Sequence, residues 1–290
     1  GAEHVVFFVR PPRQSVYTKR AAPVAFLAPT ASYLAYANYR LRLRPNPVLG
    51  SGEPKSVNDV YLRDHPELGS SLYDTHSDWS GVHVSSRHRP LTNVRPRHNR
   101  IWGLPADMNI VAWLEHTGIG YEVITDEDLH AEGAALLERY QVILTGSHPE
   151  YYSTRMLDAV EEYLGDGGRL MYLGGNGFYW RIAFHPSIPG VIEVRRAEDG
   201  TRAWIAEPGQ YYHSFNGEYG GLWRRLGRAP NQTVGVGFAA QGFERSAPYR
   251  RMPGADDPRA SFVFRGITED VIGDFGSLGG GASGEEIDRF

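Results

Sequence analysis

The sequence predicts an α/β protein: an open, mostly parallel sheet flanked by helices, followed by a β-rich C-terminal elaboration. Two observations carry the first part. Between residues 107 and 173 strand-like and helix-like segments alternate with connections of only a few residues, the pattern of βαβ units. The strand-like segments are short continuous apolar runs, such as Val142-Ile143-Leu144, which suits strands covered on both faces. The third observation is a change of texture after Gly190. The chain there turns to brief β-like runs (Val191-Ile192-Glu193-Val194, Ala203-Trp204-Ile205, Val234-Gly235-Val236, Phe262-Val263-Phe264) broken by Gly and Pro. We therefore expect a core over residues 1–190 and a β-rich elaboration over 191–290, packed on it.

The elements follow in order. Residues 24–28 form an apolar strand after Pro23, ended by Pro29. From about residue 40 to 105 the composition is rich in Pro, Gly, Ser, Asn and His with little periodicity, a long loop insertion. Loops beyond about 15 residues are uncommon in compact domains and are usually functional. Residues 107–118 have helical spacing, with Ile110, Val111 and Leu114 on one face and a glycine at the end. Residues 121–125 read as a strand and 126–140 as a helix. Residues 141–145 form the next strand. Ser153 is suited to cap a helix over 154–164, whose Met156, Leu157, Val160 and Leu164 share one face. Gly167-Gly168 ends that helix, and 170–173 is the following strand.

Composition narrows the chemistry. The chain has 290 residues and no cysteine, which removes disulfides, thiolate nucleophiles, Cys-based zinc sites and iron–sulfur clusters. Oxygen and nitrogen groups must do the work, and 17 tyrosines supply many of them. A formal net charge of -4 argues against nucleic acid. The locally basic stretch 87–100 lacks an aromatic stacking pattern, so its arginines are expected to meet carboxylates or carbonyls. No apolar run approaches the roughly 18 residues that span a bilayer, and a soluble, cytoplasmic protein without membrane contact is expected. Gly1 at the start and the Gly-rich approach to Phe290 suggest a fragment of a longer polypeptide.

Ligands of open α/β sheets bind outside the carboxyl ends of the strands. That rule selects Tyr33 after the first strand, Gly146-Ser147-His148-Pro149-Glu150-Tyr151 after the apolar run at 142–144, and Gly174-Gly175-Asn176-Gly177-Phe178 after the strand beginning near Leu170. The long loop adds Tyr73-Asp74. His148 and Glu150, two apart, offer an imidazole and a carboxylate for general base work or for a hard metal. The plain alternative is that Glu150 serves the next helix while His148 packs in a turn. Asn176 between glycines suggests close approach of a ligand, or simply a left-handed turn. His76, His83 and His88 fit no familiar metal-ligand spacing. Trp180, Trp204 and Trp223 raise a carbohydrate site as a rival, and a catalytically silent binding domain is another.

The topology resembles that of class I glutamine amidotransferases, with Ser147-His148-Pro149-Glu150 where those enzymes carry a nucleophilic cysteine. A more specific likeness runs along the whole chain. The segments Leu27-Ala28-Pro29-Thr30-Ala31-Ser32-Tyr33-Leu34-Ala35-Tyr36-Ala37-Asn38, Tyr73-Asp74, Ser85-Ser86-Arg87 and Arg89-Pro90 resemble the N,N-dimethylformamidase large-subunit family. So do Leu144-Thr145-Gly146-Ser147-His148-Pro149-Glu150-Tyr151 and Gly273-Asp274-Phe275-Gly276. This resemblance implies a mononuclear Fe(III) held by two tyrosine phenolates and one carboxylate, and hydrolysis of small N-substituted amides to a carboxylic acid and an amine. Carried over by motif, the metal ligands are Tyr33, Tyr73 and Glu150, with Tyr36 the alternative to Tyr33. His148, Asn176 and Glu286 become the catalytic residues, with Glu285 the alternative to Glu286. The family further implies a lectin-like N-terminal domain, a small companion subunit and a homo-oligomer.

Overall fold

The computed structural model describes residues 4–12, 22–40, 56–98, 103–199, 204, 206–241, 246–275, 280–282 and 286–289. By contacts the chain divides into two units, residues 1–235 and 236–290. The first contains a parallel sheet of β1 (Val24–Ala28), β3 (Tyr121–Thr125), β4 (Val142–Thr145) and β6 (Arg169–Met171), in the order β3-β1-β4-β6. The strand order reverses direction between β1 and β4, which places a crevice at their carboxyl ends.

Strand pleating sorts the apolar side chains onto two faces. Ala25, Leu27, Ile124 and Ile143 face one core with α4 (Asp126–Glu132), α5 (Ala134–Leu137) and α6 (Thr154–Gly165). Phe26, Ala28 and Leu144 face another with Leu114, Ile110 and Val111 of α3 (Leu104–Thr117). The sheet is thus flanked by helices on both faces. Ser153 caps α6 as its position suggests, accepting from the Met156 amide. The segment 126–140 is not one helix. Gly133, at φ 68° and ψ -152°, divides it into α4 and α5, a conformation that glycine adopts without a Cβ penalty.

A second four-stranded sheet has the order β2-β8-β7-β5, formed by β2 (Val84–Ser86), β5 (Tyr151–Tyr152), β7 (Trp180–Phe184) and β8 (Val191–Val194). Only β5 and β7 run parallel; β7–β8 and β8–β2 are antiparallel. Because β8 is hydrogen-bonded between β2 and β7, the residues just after Gly190 are built into the first unit. The expected boundary at 190 therefore moves to 235. The long loop is also less irregular than its composition suggests. It holds α2 (Val57–Asp64), capped by Ser56, a 3-10 turn at Pro66–Leu68, and β2. Two of its arginines meet the expected partners: Arg87 pairs with Glu127 at 2.6 Å, and Arg89 donates to the carbonyls of Leu68 and Ser70.

Among the described residues of the β-like runs expected after Gly190, only Val191–Val194 form a strand. Val234 ends α7 (Pro230–Val234), with Gly235 in the left-handed region as its cap. Phe262, Val263 and Phe264 lie in a 3-10 turn (Ser261–Phe264), and of 203–205 only Trp204 is among the described residues. Among the described residues the second unit contains two antiparallel pairs, β9 (Gly237–Gln241) with β12 (Glu286–Arg289), and β10 (Tyr249–Arg250) with β11 (Val271–Ile272). Among the described residues no helix is long and apolar enough to cross a membrane.

Candidate functional site

Three connections meet at the carboxyl ends of β1, β4 and β6. The first is Pro29 and α1 (Thr30–Ala35). The second is the turn 146–150, which lies so close to the first that a Cβ on Gly146 would stand 2.5 Å from the Pro29 ring. Ser32 of α1 fastens that turn, its hydroxyl donating to the His148 carbonyl at 2.5 Å and accepting from the Glu150 amide at 3.3 Å. The third connection, 172–179, lies along the second. The amides of Gly175, Phe178, Tyr179 and Trp180 donate to the carbonyls of Ser147, Pro149 and, for the last two, Glu150. Asn176 sits within this laced segment, 2 % exposed and left-handed at φ 55°.

The long loop reaches the same place through a fixed turn. Asp74 accepts from the Ser71 amide and hydroxyl, both at 2.8 Å, and the Leu72 amide donates to the Ala35 carbonyl at 2.9 Å. This anchors Tyr73 against the end of α1. The result is a convergence of three oxygen-bearing side chains. The Tyr36 hydroxyl donates to Glu150 Oε2 at 2.7 Å, the Tyr73 hydroxyl donates to Glu150 Oε1 at 2.9 Å, and the two phenol oxygens are 2.7 Å apart. The Tyr36 and Tyr73 rings stack, with centroids 4.5 Å apart. Tyr151 completes the group by donating to the Tyr73 oxygen at 2.6 Å.

This cluster is largely dry. Glu150 is 2 % and Tyr73 7 % exposed; Tyr36 and Tyr39 form its partly exposed side. Burial raises the pKa of Tyr73, and the Glu150 charge raises it further; Arg196 and the hydrogen bonds from Tyr151 and Tyr36 oppose them. Burial, then the charge of Glu150, likewise holds Tyr151 well above the ordinary phenol range. In the metal-free protein Tyr73 and Tyr151 are therefore held as neutral phenols beside Glu150.

Of the two tyrosines that the sequence left as alternatives on this segment, Tyr36 joins Tyr73 and Glu150. Tyr33 points elsewhere: it stacks on Phe8, and its hydroxyl donates to Asp107 of α3. Burial pushes its pKa well up, and the Asp107 charge adds to this. Asp107 also accepts from the Ser147 amide at 2.6 Å; burial raises its pKa, and the hydrogen bonds from Ser147 and Tyr33 oppose this. His148 follows Ser147 on the turn that carries Glu150. Glu286 lies on β12 in the second unit, opposite Gln241, and Glu285 falls outside the described residues.

The tryptophans do not line an open sugar site. Trp180, Trp204 and Trp223 are 6 %, 6 % and 1 % exposed. Two of them, with Tyr73, enclose Arg196, a residue that sequence reasoning did not single out. Its partners Leu72 and Tyr151 are far away along the chain, so no local spacing marks it.

Hollows of about 480 and 710 Å³ lie on the Phe8 side of the first unit and have Asp107 and Tyr33, respectively, on their walls; neither includes Tyr36, Tyr73 or Glu150. Among the described residues no group of three His, Asp or Glu side chains could hold a metal. The oxygen donors that do converge are two phenols and a carboxylate, a hard set suited to a small, highly charged cation.

The sequence pattern of the family described as N,N-dimethylformamidase beta subunit-like, C-terminal, matches residues 1–290. An N,N-dimethylformamidase beta subunit from Alcaligenes sp is 44 % identical over 297 residues, covering 99 % of this chain and 38 % of the relative. The one from Paracoccus aminophilus is 45 % identical over the same length, again with 99 % and 38 % covered. The chain thus spans 38 % of the length of these curated relatives. A match running end to end, at this identity, shows that the chain belongs to the N,N-dimethylformamidase beta subunit-like C-terminal family.

Proposed function

We propose that this chain carries the metal centre of an amide hydrolase, with a mononuclear Fe(III) held by Tyr36, Tyr73 and Glu150. The substrate would be a small N-substituted amide of the dimethylformamide type, cleaved to a carboxylic acid and an amine. The observation that carries the reading is the convergence of two phenol oxygens and the Glu150 carboxylate, with contacts of 2.7 to 2.9 Å, in a chain of this family. The donor set fits the ion: two phenolates and one carboxylate balance three positive charges, and hard oxygen donors suit it.

When bound, the ion would supply Lewis acidity toward an amide carbonyl and toward water. The chain's own residues would do the rest. Tyr36, Tyr73 and Glu150 would fix the ion's position, because each is anchored by its own element. The imidazole of His148, on the same turn as Glu150, would take a proton from the attacking water and return it to the leaving nitrogen. Asp107, which fixes the Ser147 amide, would hold that turn. The Asn176 side-chain amide would steady the substrate carbonyl or the water. The chemistry proposed for the first unit makes no use of Glu286.

Were the resemblance of the topology to amidotransferases to hold, the turn Ser147-His148-Pro149-Glu150 would stand where they carry a cysteine, and the proposal is that the chemistry there is replaced rather than lost. The relatives' naming as beta subunits supports assembly with another subunit, and the proposal includes a small companion chain and pairing of copies. The test uses the full-length protein. Metal analysis, a visible spectrum and release of dimethylamine from dimethylformamide are measured together. Stoichiometric iron, a broad tyrosinate-to-iron absorption and turnover are expected; failure to take up iron together with no amide cleavage would leave a binding domain as the better reading.

A further inference from the structure

Arg196 is a buried cation placed directly behind the proposed ligands. It is 2 % exposed and follows β8, where the backbone turns at Ala197 (φ 48°) and the Asp199 amide returns to the Arg196 carbonyl at 2.9 Å. Three rings surround its guanidinium carbon, Tyr73 at 4.6 Å, Trp204 at 4.8 Å and Trp180 at 5.1 Å. Its Nη1 donates to the Leu72 carbonyl at 2.6 Å, an oxygen that also accepts from Trp204 Nε1.

A charge buried this deeply needs compensation. Among the described residues no carboxylate is in ion-pair contact with Arg196. What it does have is a run of hydroxyls that ends on an acid. Arg196 Nη2 donates to the Tyr151 oxygen at 3.5 Å, Tyr151 donates to Tyr73 at 2.6 Å, and Tyr73 donates to Glu150 at 2.9 Å. Every donor in this series points from the cation toward the anion, the arrangement in which hydrogen bonds polarise one another.

We propose that Arg196 is the buried counter-charge of Glu150, acting through Tyr151 and Tyr73, and a positioning residue for the Tyr73 oxygen. In this role it keeps the three donors converged before any metal arrives. Resting on the iron reading, a second consequence is that Arg196 stays as a positive charge beside the Tyr73 phenolate once the ion is bound.

The first part is tested without metal, by thermal unfolding of the metal-free full-length protein carrying Arg196→Met, Glu150→Gln, both, and Arg196→Lys. Each single neutralisation is expected to lower Tm by roughly 5 to 15 °C, because it removes one charged end of the buried series and keeps the other. The double variant should lose less than the sum, since neither charge then remains, and Lys should recover part of the loss. Additive losses, or Lys no better than Met, overturn the proposal. Where Arg196→Met does not fold, Tyr151→Phe replaces it in the cycle. It breaks the series at its middle and should also be non-additive with Glu150→Gln, and additivity there overturns the proposal equally. The second part is read in the iron-loaded Arg196→Met or Arg196→Gln protein. Removing a nearby cation raises the energy of the phenolate electrons, so the visible band should move to longer wavelength; an unmoved band with full iron content refutes this part. Coupling in the metal-free protein with no iron uptake would uphold Arg196's role and sink the iron reading instead.

Discussion

Replacing Tyr36 and Tyr33 separately by Phe should separate metal binding from stability, in opposite order. Tyr36 is partly exposed, and its hydroxyl donates to a Glu150 that keeps a second donor, Tyr73. A hydrogen bond to a charged group contributes about 1.5–3 kcal/mol, and water reaching the partly open site recovers some of it. The metal-free Tyr36→Phe protein should therefore lose only about 1 kcal/mol, or roughly 2–4 °C in Tm. Tyr33 is 5 % exposed and donates to Asp107, which is fully buried. Tyr33→Phe leaves that buried carboxyl short of a donor, and should cost about 2–3 kcal/mol. Iron uptake should reverse the ranking. Tyr36→Phe removes one of three proposed ligands and should lose most iron and most of the visible band, whereas Tyr33→Phe should retain both. Calorimetry on metal-free protein, with metal analysis and absorption after loading, measures the two rankings. A Tyr33→Phe protein that loses the band while Tyr36→Phe keeps it would refute the assignment.

Three further outcomes follow from the same structure. His148→Ala should retain iron and lose turnover by roughly 100- to 10,000-fold, the usual range for a general acid–base group; loss of iron in that variant would make His148 a ligand. His213 is 1 % exposed, and burial brings its pKa down to about 4. Its contribution of about 3 kcal/mol is complete above the unfolded value near 6.5 and is lost as pH falls through the folded value. Urea unfolding at pH 7 and pH 4.5 should thus show a fall that His213→Gln reduces, and an equal fall in the variant would rule this out. Asp126 accepts from the Ala31 amide at 2.9 Å with one oxygen, and burial pushes its pKa well up. A raised acid stabilises below its unfolded pKa and ceases to as pH rises through the folded one, so Asp126→Asn should stabilise at pH 7 by about 1–2 kcal/mol and not at pH 3. Denaturant midpoints at both pH values check this, and a loss of stability at pH 7 would show that the ionised carboxylate is needed.

The sequence alone determined what depends on neighbours a few residues apart. The apolar runs at 24–28 and 142–144, the helix spacing of 107–118 and the Ser153 cap all became the elements they specify, because pleat, helical repeat and capping are local. The same locality placed the candidate segments at strand ends; that Tyr73 and Glu150, 77 residues apart, share one site was implied by the family resemblance and not by local spacing. What only the tertiary structure decided depends on partners far apart in the chain. Tyr33, on α1, and Tyr36, just past its end, sit three apart and look alike in sequence. The first meets Asp107, 74 residues on, and the second meets Glu150, 114 residues on. Which tyrosine faces the carboxylate is fixed by where α3 and the 146–150 turn pack against α1. Arg196 was illegible for the same reason: its relation to Leu72 spans 124 residues. A buried arginine and an exposed one are the same letter until the rings of Tyr73, Trp180 and Trp204 close around it.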